Sequence, residues 1–423
     1  MIKQVKIIIN VILVIVLIQG AAYAQKIPAV LSLDQAIEIA GNNNPLIKKA
    51  SEEISLLKAF RNRSWVPPMS DIVLEYEGMP TGTYFKEFEV RKLKIEQGME
   101  FPLKSIQRYK RESDYLSGAE LTLEMELLNI RADVKTAYYK ALAAKEKLTF
   151  AEKNLSLSES MLEKIRIRYE LGEIGSIDYH RANLQKNMAM NDLSGATSEY
   201  RSSMEELLFL LTGGEGNGQT GYDQVNLSGR LEFRKVDLSS LGNITNIIPA
   251  HAGLKAAEKK LDASENNLSL AKLSYLPDIG IGYSNEKRPA GSGFWGFGIK
   301  LSVPLWFMWD QKEEVAAASA QRNIADWNRV RTYNRINTDL KTAVIEMEEA
   351  EKQVQVFEND ILSGAEKVFE LTEISYREGE ISYIEVILAQ QSLLETRQQY
   401  SDLLAKYNIA AAQLELAMGR QLN

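Results

Sequence analysis

The chain repeats one stretch of itself, and that repeat limits what it can fold into more than any other feature. Tyr169-Glu170-Leu171-Gly172-Glu173-Ile174-Gly175-Ser176-Ile177-Asp178 returns as Tyr376-Arg377-Glu378-Gly379-Glu380-Ile381-Ser382-Tyr383-Ile384-Glu385, at an offset of 207 residues. Tyr, Gly, Ile, Ile and an acid occupy matching positions, and each copy lies between long runs of helical composition. The chain is therefore internally duplicated. Glycine between two amphipathic runs supplies the positive φ of a tight helix-to-helix turn, so each copy reads as the tip of a long helical hairpin.

The rest of each half follows the same order of events. In the first, Ser32 or Asp34 can cap a helix through Ala36, Ile37 and Ala40, and Asn42-Asn43-Asn44-Pro45 breaks it before a helix from Leu46 to about Trp65. Ile72, Leu74 and Tyr76 then alternate with Val73, Glu75 and Glu77. Gly78 to Gly82 forms a turn, and Phe88 to Phe101 is extended again, which makes a hairpin. The apolar parity of this second strand slips between Val90 and Leu93, the mark of a bulge or a register change. From about Lys104 to Leu171 no proline interrupts a helix of about 100 Å at 1.5 Å per residue. Steps of three and four from Leu127 land on Ile130, Val134, Ala137, Ala141, Ala144, Leu148, Ala151, Leu155, Ser158, Leu162, Ile165 and Tyr169. Only Ser158 is polar, so this stripe is a seam for close coiled-coil packing. Ile177 to Leu211 returns antiparallel.

The second half repeats the plan. A helix from Ala252 stops at Leu276-Pro277. Ile279, Ile281 and Tyr283, then Trp295, Phe297, Ile299, Leu301 and Val303, alternate with small or charged residues. A second long helix spans about Asp310 to Glu378 on a looser seam (Leu340, Val344, Met347, Val354, Ile361, Ala365, Val368), and Ile381 to Met418 returns. Between the halves, Gly213-Gly214-Glu215-Gly216-Asn217-Gly218 has no Lys-Ser or Lys-Thr after it and no strand before it, so it is a connector and not a phosphate loop. The expected division is a signal peptide at 1–24, a first repeat at 25–212 with β-hairpin 70–103 and helical hairpin 104–212, an irregular insertion at 213–248, and a second repeat at 249–423 with β-hairpin 278–304 and helical hairpin 310–420.

Lys3 and Lys6, an apolar run from Ile7 to Ile18 and Ala22-Tyr23-Ala24 before Gln25 have the build of a secretory signal. There is no cysteine, which removes disulfides, thiolate metal sites and cysteine catalysis. Fifty basic against 57 acidic side chains argue against a nucleic-acid partner. No nucleophile with a base, zinc spacing or nucleotide loop appears, so an enzyme is not expected, and no cofactor is implied. His180 lies two residues from Asp178 on a different helical face, and Met188 and Met190 have the same spacing, so none of these pairs chelates a metal.

Beyond residue 24, no segment is apolar and long enough to span a membrane as a helix, so insertion would fall to strands. The four strands have the length and period of membrane barrel strands, with large apolar residues on one face and Gly, Ser and charge on the other. Trp306, Phe307 and Trp309 fall where an interfacial aromatic belt belongs. The fold class is mostly α with a membrane β-barrel. Four strands cannot close, so copies must share the barrel: two would give eight strands, three would give twelve with room for a channel. Periodicity does not choose between them.

Taken in order, the signal, the duplicated plan, Asn44-Pro45, Leu276-Pro277, Val303-Pro304-Leu305 and the two Tyr-x-x-Gly-x-Ile tips resemble the TolC family of outer-membrane efflux proteins over nearly all of the mature chain. The resemblance implies a homotrimer whose twelve-stranded barrel in outer-membrane lipid continues into a periplasmic helical barrel. It also implies a passive exit duct for small toxic solutes, drugs or metal cations, with a periplasmic adaptor and an inner-membrane pump as partners, RND-type rather than ABC. In that family the tips close the entrance and dock the adaptor. Carried over, the entrance residues are Asp178, Glu385 and Tyr376, with an Asp178 to Tyr376 hydrogen bond as a closing contact, and the docking tips are Tyr169, Gly172, Ile174, Gly379 and Ile381. Two positions depart from the family's electrostatic closure: Leu388 stands where a second acid is common, and Ile381 where a basic residue is. Pro304-Leu305-Trp306-Phe307-Met308-Trp309 and Glu100-Phe101-Pro102-Leu103-Lys104 resemble the heavy-metal branch, although the latter lacks its glycine before the lysine. The rival readings are the exit duct of a type I secretion system and a secreted coiled-coil scaffold.

Overall fold

The computed structural model describes residues 27–79, 81, 88–214, 222–236, 247–288, 291, 293–306 and 308–422. The expected signal peptide, Pro80 and Gly82 of the first hairpin turn, most of the glycine run and Phe307 lie outside them. In chain order the elements are β1 Val30–Leu31, α1 Leu33–Asn43, α2 Pro45–Arg63, β2 Ser70–Glu77, β3 Val90–Met99, α3 Pro102–Glu170, α4 Ser176–Thr212, β4 Asn226–Leu227, α5 Ala252–Leu273, β5 Asp278–Lys287, β6 Phe294–Ser302 and α6 Asp310–Val356. A π turn at Phe357–Leu362 leads into α7 Ser363–Arg377, and α8 Tyr383–Met418 follows. Among the described residues no helix is long and apolar enough to cross a membrane.

Two compact units interleave along the sequence, and each draws on both halves. The first comprises the described residues of Met1–Pro45, Ile130–Arg234 and Ala350–Ile409. Ser32 opens α1 as a capping box, its hydroxyl accepting from the Gln35 N–H and Gln35 reaching back to the Ser32 N–H, an arrangement that stabilises a helix start by about 1 kcal/mol. β1 and β4 form a parallel two-residue ladder. The buried Tyr138 hydroxyl fixes it from α3, lying 3.1 Å from the Leu31 carbonyl and 2.9 Å from that of Ser228. Its β4 strand lies in the stretch expected to be irregular. Gly213 ends α4 at φ +64°, and a Cβ there would lie 2.1 Å from Pro45 Cδ, so only glycine fits.

The second unit comprises the described residues of Leu46–Asn129, Lys235–Glu349 and Ala410–Asn423. It contains an antiparallel sheet of order β2-β3-β5-β6. Lys104, in the first turn of α3, fastens the two strand-bearing segments together: its Nζ donates to Asp278 Oδ1 at 2.7 Å and to the Leu276 carbonyl at 3.0 Å. The Phe101 N–H donates to the same carboxylate. The bulge expected in β3 is absent, since pairing with β2 runs unbroken from Val90↔Glu77 to Gln97↔Ser70. Val90 simply sits on the charged face.

The α3 seam is where the spacing places it. Ile130, Val134, Ala137, Ala141, Ala144, Ser158 and Ile165 are all buried, although Leu127 and Tyr169 at its ends are exposed. In the second long helix, Ile336, Leu340, Ala343, Met347, Ala350, Val354 and Phe357 are buried in three-four alternation. Beyond Phe357 the expected seam fails at Ile361 and Val368, which are exposed, and holds at the half-buried Ala365. The π turn holds one residue more than an α turn, so the stripe runs one residue later than an unbroken α-helix from Phe357 would carry it, through the half-buried Leu362, Ala365 and Phe369.

Candidate functional site

The first candidate surface is the sheet. Register places Ile72, Ile95, Tyr283 and Phe297 in one cross-strand row. Neighbouring rows of the same face hold Leu74 with Leu93 and Trp295, and Ile281 with Ile299. These large side chains are mostly exposed in the single chain. The opposite face carries Gly98, Gly280, Gly282 and Gly298 among charges. There Lys92 pairs with Glu77 at 2.7 Å, Lys94 with Glu75 at 3.3 Å and Lys300 with Glu96 at 3.4 Å. Glu75, Glu77 and their alternation are visible in the sequence, but which lysine meets which acid depends on register, which alternation alone leaves open. β2 and β6 each have a neighbour on one side only and present open edges.

The second is the pair of tips, both in the first unit. Each long helix ends in the same double cap. Gly172, at φ +77°, donates to the Tyr169 carbonyl at 3.0 Å, and the Glu173 N–H to that of Arg168 at 2.9 Å. Gly379, at φ +79°, donates to the Tyr376 carbonyl at 3.1 Å, and the Glu380 N–H to that of Ser375 at 2.9 Å. Nothing lies within 4 Å of a Cβ at either glycine, so the demand there is for the left-handed backbone alone.

Beneath the first tip, Ile174 packs on a core of Met161, Ile165, Ala182 and Ile387, together with Tyr179 and Ile384. This joins α3, α4 and α8, and makes Ile174 a fastener of the tip as well as part of it. Tyr169 stacks on Tyr179 with centroids 5.3 Å apart, and His180 meets the edge of that ring at 5.7 Å. Arg168 bridges the turn to Glu173 at 3.1 Å. Tyr376 is exposed and Ile381 half-buried.

The two acids behave differently. Glu385 Oε2 accepts from the Ser382 N–H at 3.0 Å while the Glu385 N–H donates back to the Ser382 carbonyl, so this carboxylate caps α8. The Asp178 carboxylate lies 4.0 Å from Arg181 Nη1 and is half exposed. Sequence reasoning missed one further pair. Ser158, the lone polar residue of the seam, accepts from Gln391 Nε2 at 3.1 Å, and both are buried. Ser158 itself was the signal; its partner lies 233 residues away.

This is the fold of outer-membrane channels. The crystal structure of the Campylobacter jejuni CmeC outer membrane channel superposes with a TM-score of 0.76 at 15% identity, covering 92% of this chain and 85% of that one. The chain belongs to the outer membrane efflux protein family, whose pattern it matches over residues 105–213 and 246–420. It is 21% identical to nodulation protein T of Rhizobium leguminosarum bv. trifolii over 92% of this chain and 86% of that protein. To the cobalt-zinc-cadmium resistance protein CzcC of Cupriavidus metallidurans it is 20% identical, over 92% and 90%. It is thus an outer-membrane channel that extends into the periplasm and serves as the exit duct of an efflux pump, and not an enzyme. Channels of this family work with periplasmic adaptors and inner-membrane pumps.

Proposed function

We propose that three copies of this chain close one twelve-stranded barrel, and that the pore passively carries small toxic solutes, drugs or metal cations, delivered by an RND-type pump through its adaptor. The observation that carries this reading is the four-stranded sheet with two open edges, one face apolar and exposed, the other lined with glycine and paired charge. In hydrocarbon each unpaired edge group costs several kcal/mol, so the edges must meet those of other copies. Apolar side chains then face lipid and the charged face lines water. Three copies leave a channel where two would fill the interior. The tips form the entrance, with Asp178, Glu385 and Tyr376 at its mouth, and Tyr169, Gly172, Ile174, Gly379 and Ile381 make the adaptor-docking end.

Native mass spectrometry of the detergent-extracted protein, combined with single-channel recording, tests the assembly: a trimer with steady conductance is expected, and a water-soluble monomer would overturn it. Deleting the gene tests the cargo. Lost tolerance to drugs or metal cations is expected, whereas unchanged tolerance with loss of a secreted protein would point to type I secretion instead.

A further inference from the structure

Just past β6, Leu305, Trp306, Met308 and Trp309 are 62–78% exposed. They lead directly into Asp310 and Glu313 in the first turn of α6. Four large apolar side chains followed by two acids form a hook on one edge of the sheet.

The opposite edge carries a cleft of about 570 Å³ below the start of β2. One wall is Phe60, Arg63, Val66, Pro67 and Met69, where α2 ends and the chain turns toward the strand; Arg108 lies on the other. The charges of this cleft do not cancel. Arg108 is held by Glu100 at 2.7 Å, and Arg111 by Glu112 at 2.6 Å. Arg63 lines the cleft with no ion pair among the described residues, and Val66 and Met69 beside it are exposed.

Hook and cleft lie at the same end of the sheet. The antiparallel ladders put the start of β2, the end of β3, the start of β5 and the end of β6 together. Copies joined head to tail bring β6 of one against β2 of the next, and so carry each hook to its neighbour's cleft. We propose that the hook of one copy seats in the Arg63 cleft of the next, with Trp306 and Trp309 against Phe60, Val66 and Met69, and Asp310 facing Arg63. The inference rests on the shared-barrel reading above and names the contact that sets the order of the subunits. Lipid alone would cover the tryptophans but would leave Arg63 and Asp310 without a counter-charge, Asp310 accepting only from the neutral Gln311 amide at 3.0 Å; charge complementarity favours the second copy.

The test places a photo-crosslinking p-benzoylphenylalanine in the full-length protein in its membrane, at Trp306 in one variant and at Ile299 of β6 in another, and maps the captured peptides. Ile299 is expected to trap β2 of a second copy, and Trp306 to trap the stretch 60–69 of a second copy. Capture by Ile299 with Trp306 labelling only lipid or another segment overturns the hook and leaves the barrel standing; failure at both positions overturns the barrel as well. As an independent arm, Arg63→Asp and Asp310→Arg should each lower the trimer-to-monomer ratio roughly two- to fivefold, the range of a rim ion pair. The double reversal should restore the ratio, and no recovery in the double variant overturns the pairing.

Discussion

Gly172 and Gly379 occupy left-handed backbone with open space around them, whereas Gly419, at φ +68°, sits where a Cβ would lie 2.8 Å from His251 Cδ2. These positions separate two costs. Gly172→Ala and Gly379→Ala should each cost about 1–2 kcal/mol, the left-handed penalty of an L residue. Gly419→Ala should cost more, because the His251 ring must also move; thermal unfolding of the three variants orders them. His251 is itself an acid-sensitive joint. Its Nδ1 caps α5 by accepting from the Gly253 N–H at 3.1 Å, and its ring hydrogen-bonds the Leu416 carbonyl. Burial lowers its pKa from the ordinary value, and this outweighs the Leu416 carbonyl, Asp339 and Glu124, which favour the charged ring. The unfolded chain therefore takes up the proton first. The stability that neutral His251 contributes is complete above about pH 6.5 and is lost as pH falls below it. Melting between pH 7.5 and 5.5 should show that fall. His251→Asn, which keeps a capping oxygen but does not titrate, should flatten it.

At the scale of elements, the π turn divides the second hairpin into two phases. Phe357, in its first position, stacks on Tyr400 of α8 with centroids 6.1 Å apart. Burial, with Glu358 second, pushes the Tyr400 phenol up to about 12. Deleting Asn359 should restore α phase and leave α7 on its present face, because Leu362, Ala365 and Phe369 would then continue the three-four alternation from Phe357. Proteolysis of the second tip is expected to be unchanged in that variant, whereas deleting Asp360 as well would turn Ser363, Glu366 and Glu370 inward and should speed it, with the sheet unaffected in both. Nothing in Phe-Glu-Asn-Asp-Ile-Leu announces this turn, since it holds no Gly or Pro and its apolar spacing fits an unbroken helix. The strands and tips were legible because period two and the repeated glycines are local signals. The β1–β4 ladder was not, because two residues are too few for a period. The parity slip at Val90 was visible but ambiguous, as one sequence cannot separate an inserted residue from an apolar residue on a charged face. At the tips, the turn glycines and the acid that caps α8 are local signals, Glu385 reaching back only to Ser382, while the packing of Ile174 with Ile384 and Ile387 depends on contacts between segments far apart in the chain.

At the scale of the proposed trimer, the acids of the tips would decide what an ion meets at the entrance. In a trimer, Asp178 and Glu385 would each appear three times, and a ring of like charge concentrates cations and repels anions. Their local roles temper this unequally. Glu385 shares one oxygen with the Ser382 N–H, and that bond leaves its charge in place. Asp178 has Arg181 at 4.0 Å, a separation at which an exposed pair is worth a fraction of a kcal/mol and leaves most of the field intact. Replacing Asp178→Asn and Glu385→Gln removes the charge but keeps an oxygen that can cap α8, so the hairpins should retain their fold and any change should be electrostatic. The double variant is expected to lower cation selectivity severalfold and to weaken block by divalent cations in single-channel recordings, with the larger share coming from the less engaged Asp178. Because exposed charges are screened over about 8 Å at physiological salt, the difference should shrink as ionic strength rises. Conductance in divalent salt that is the same before and after the substitutions would mean that the ring does not govern entry, and would leave both acids as structural parts of the helix starts.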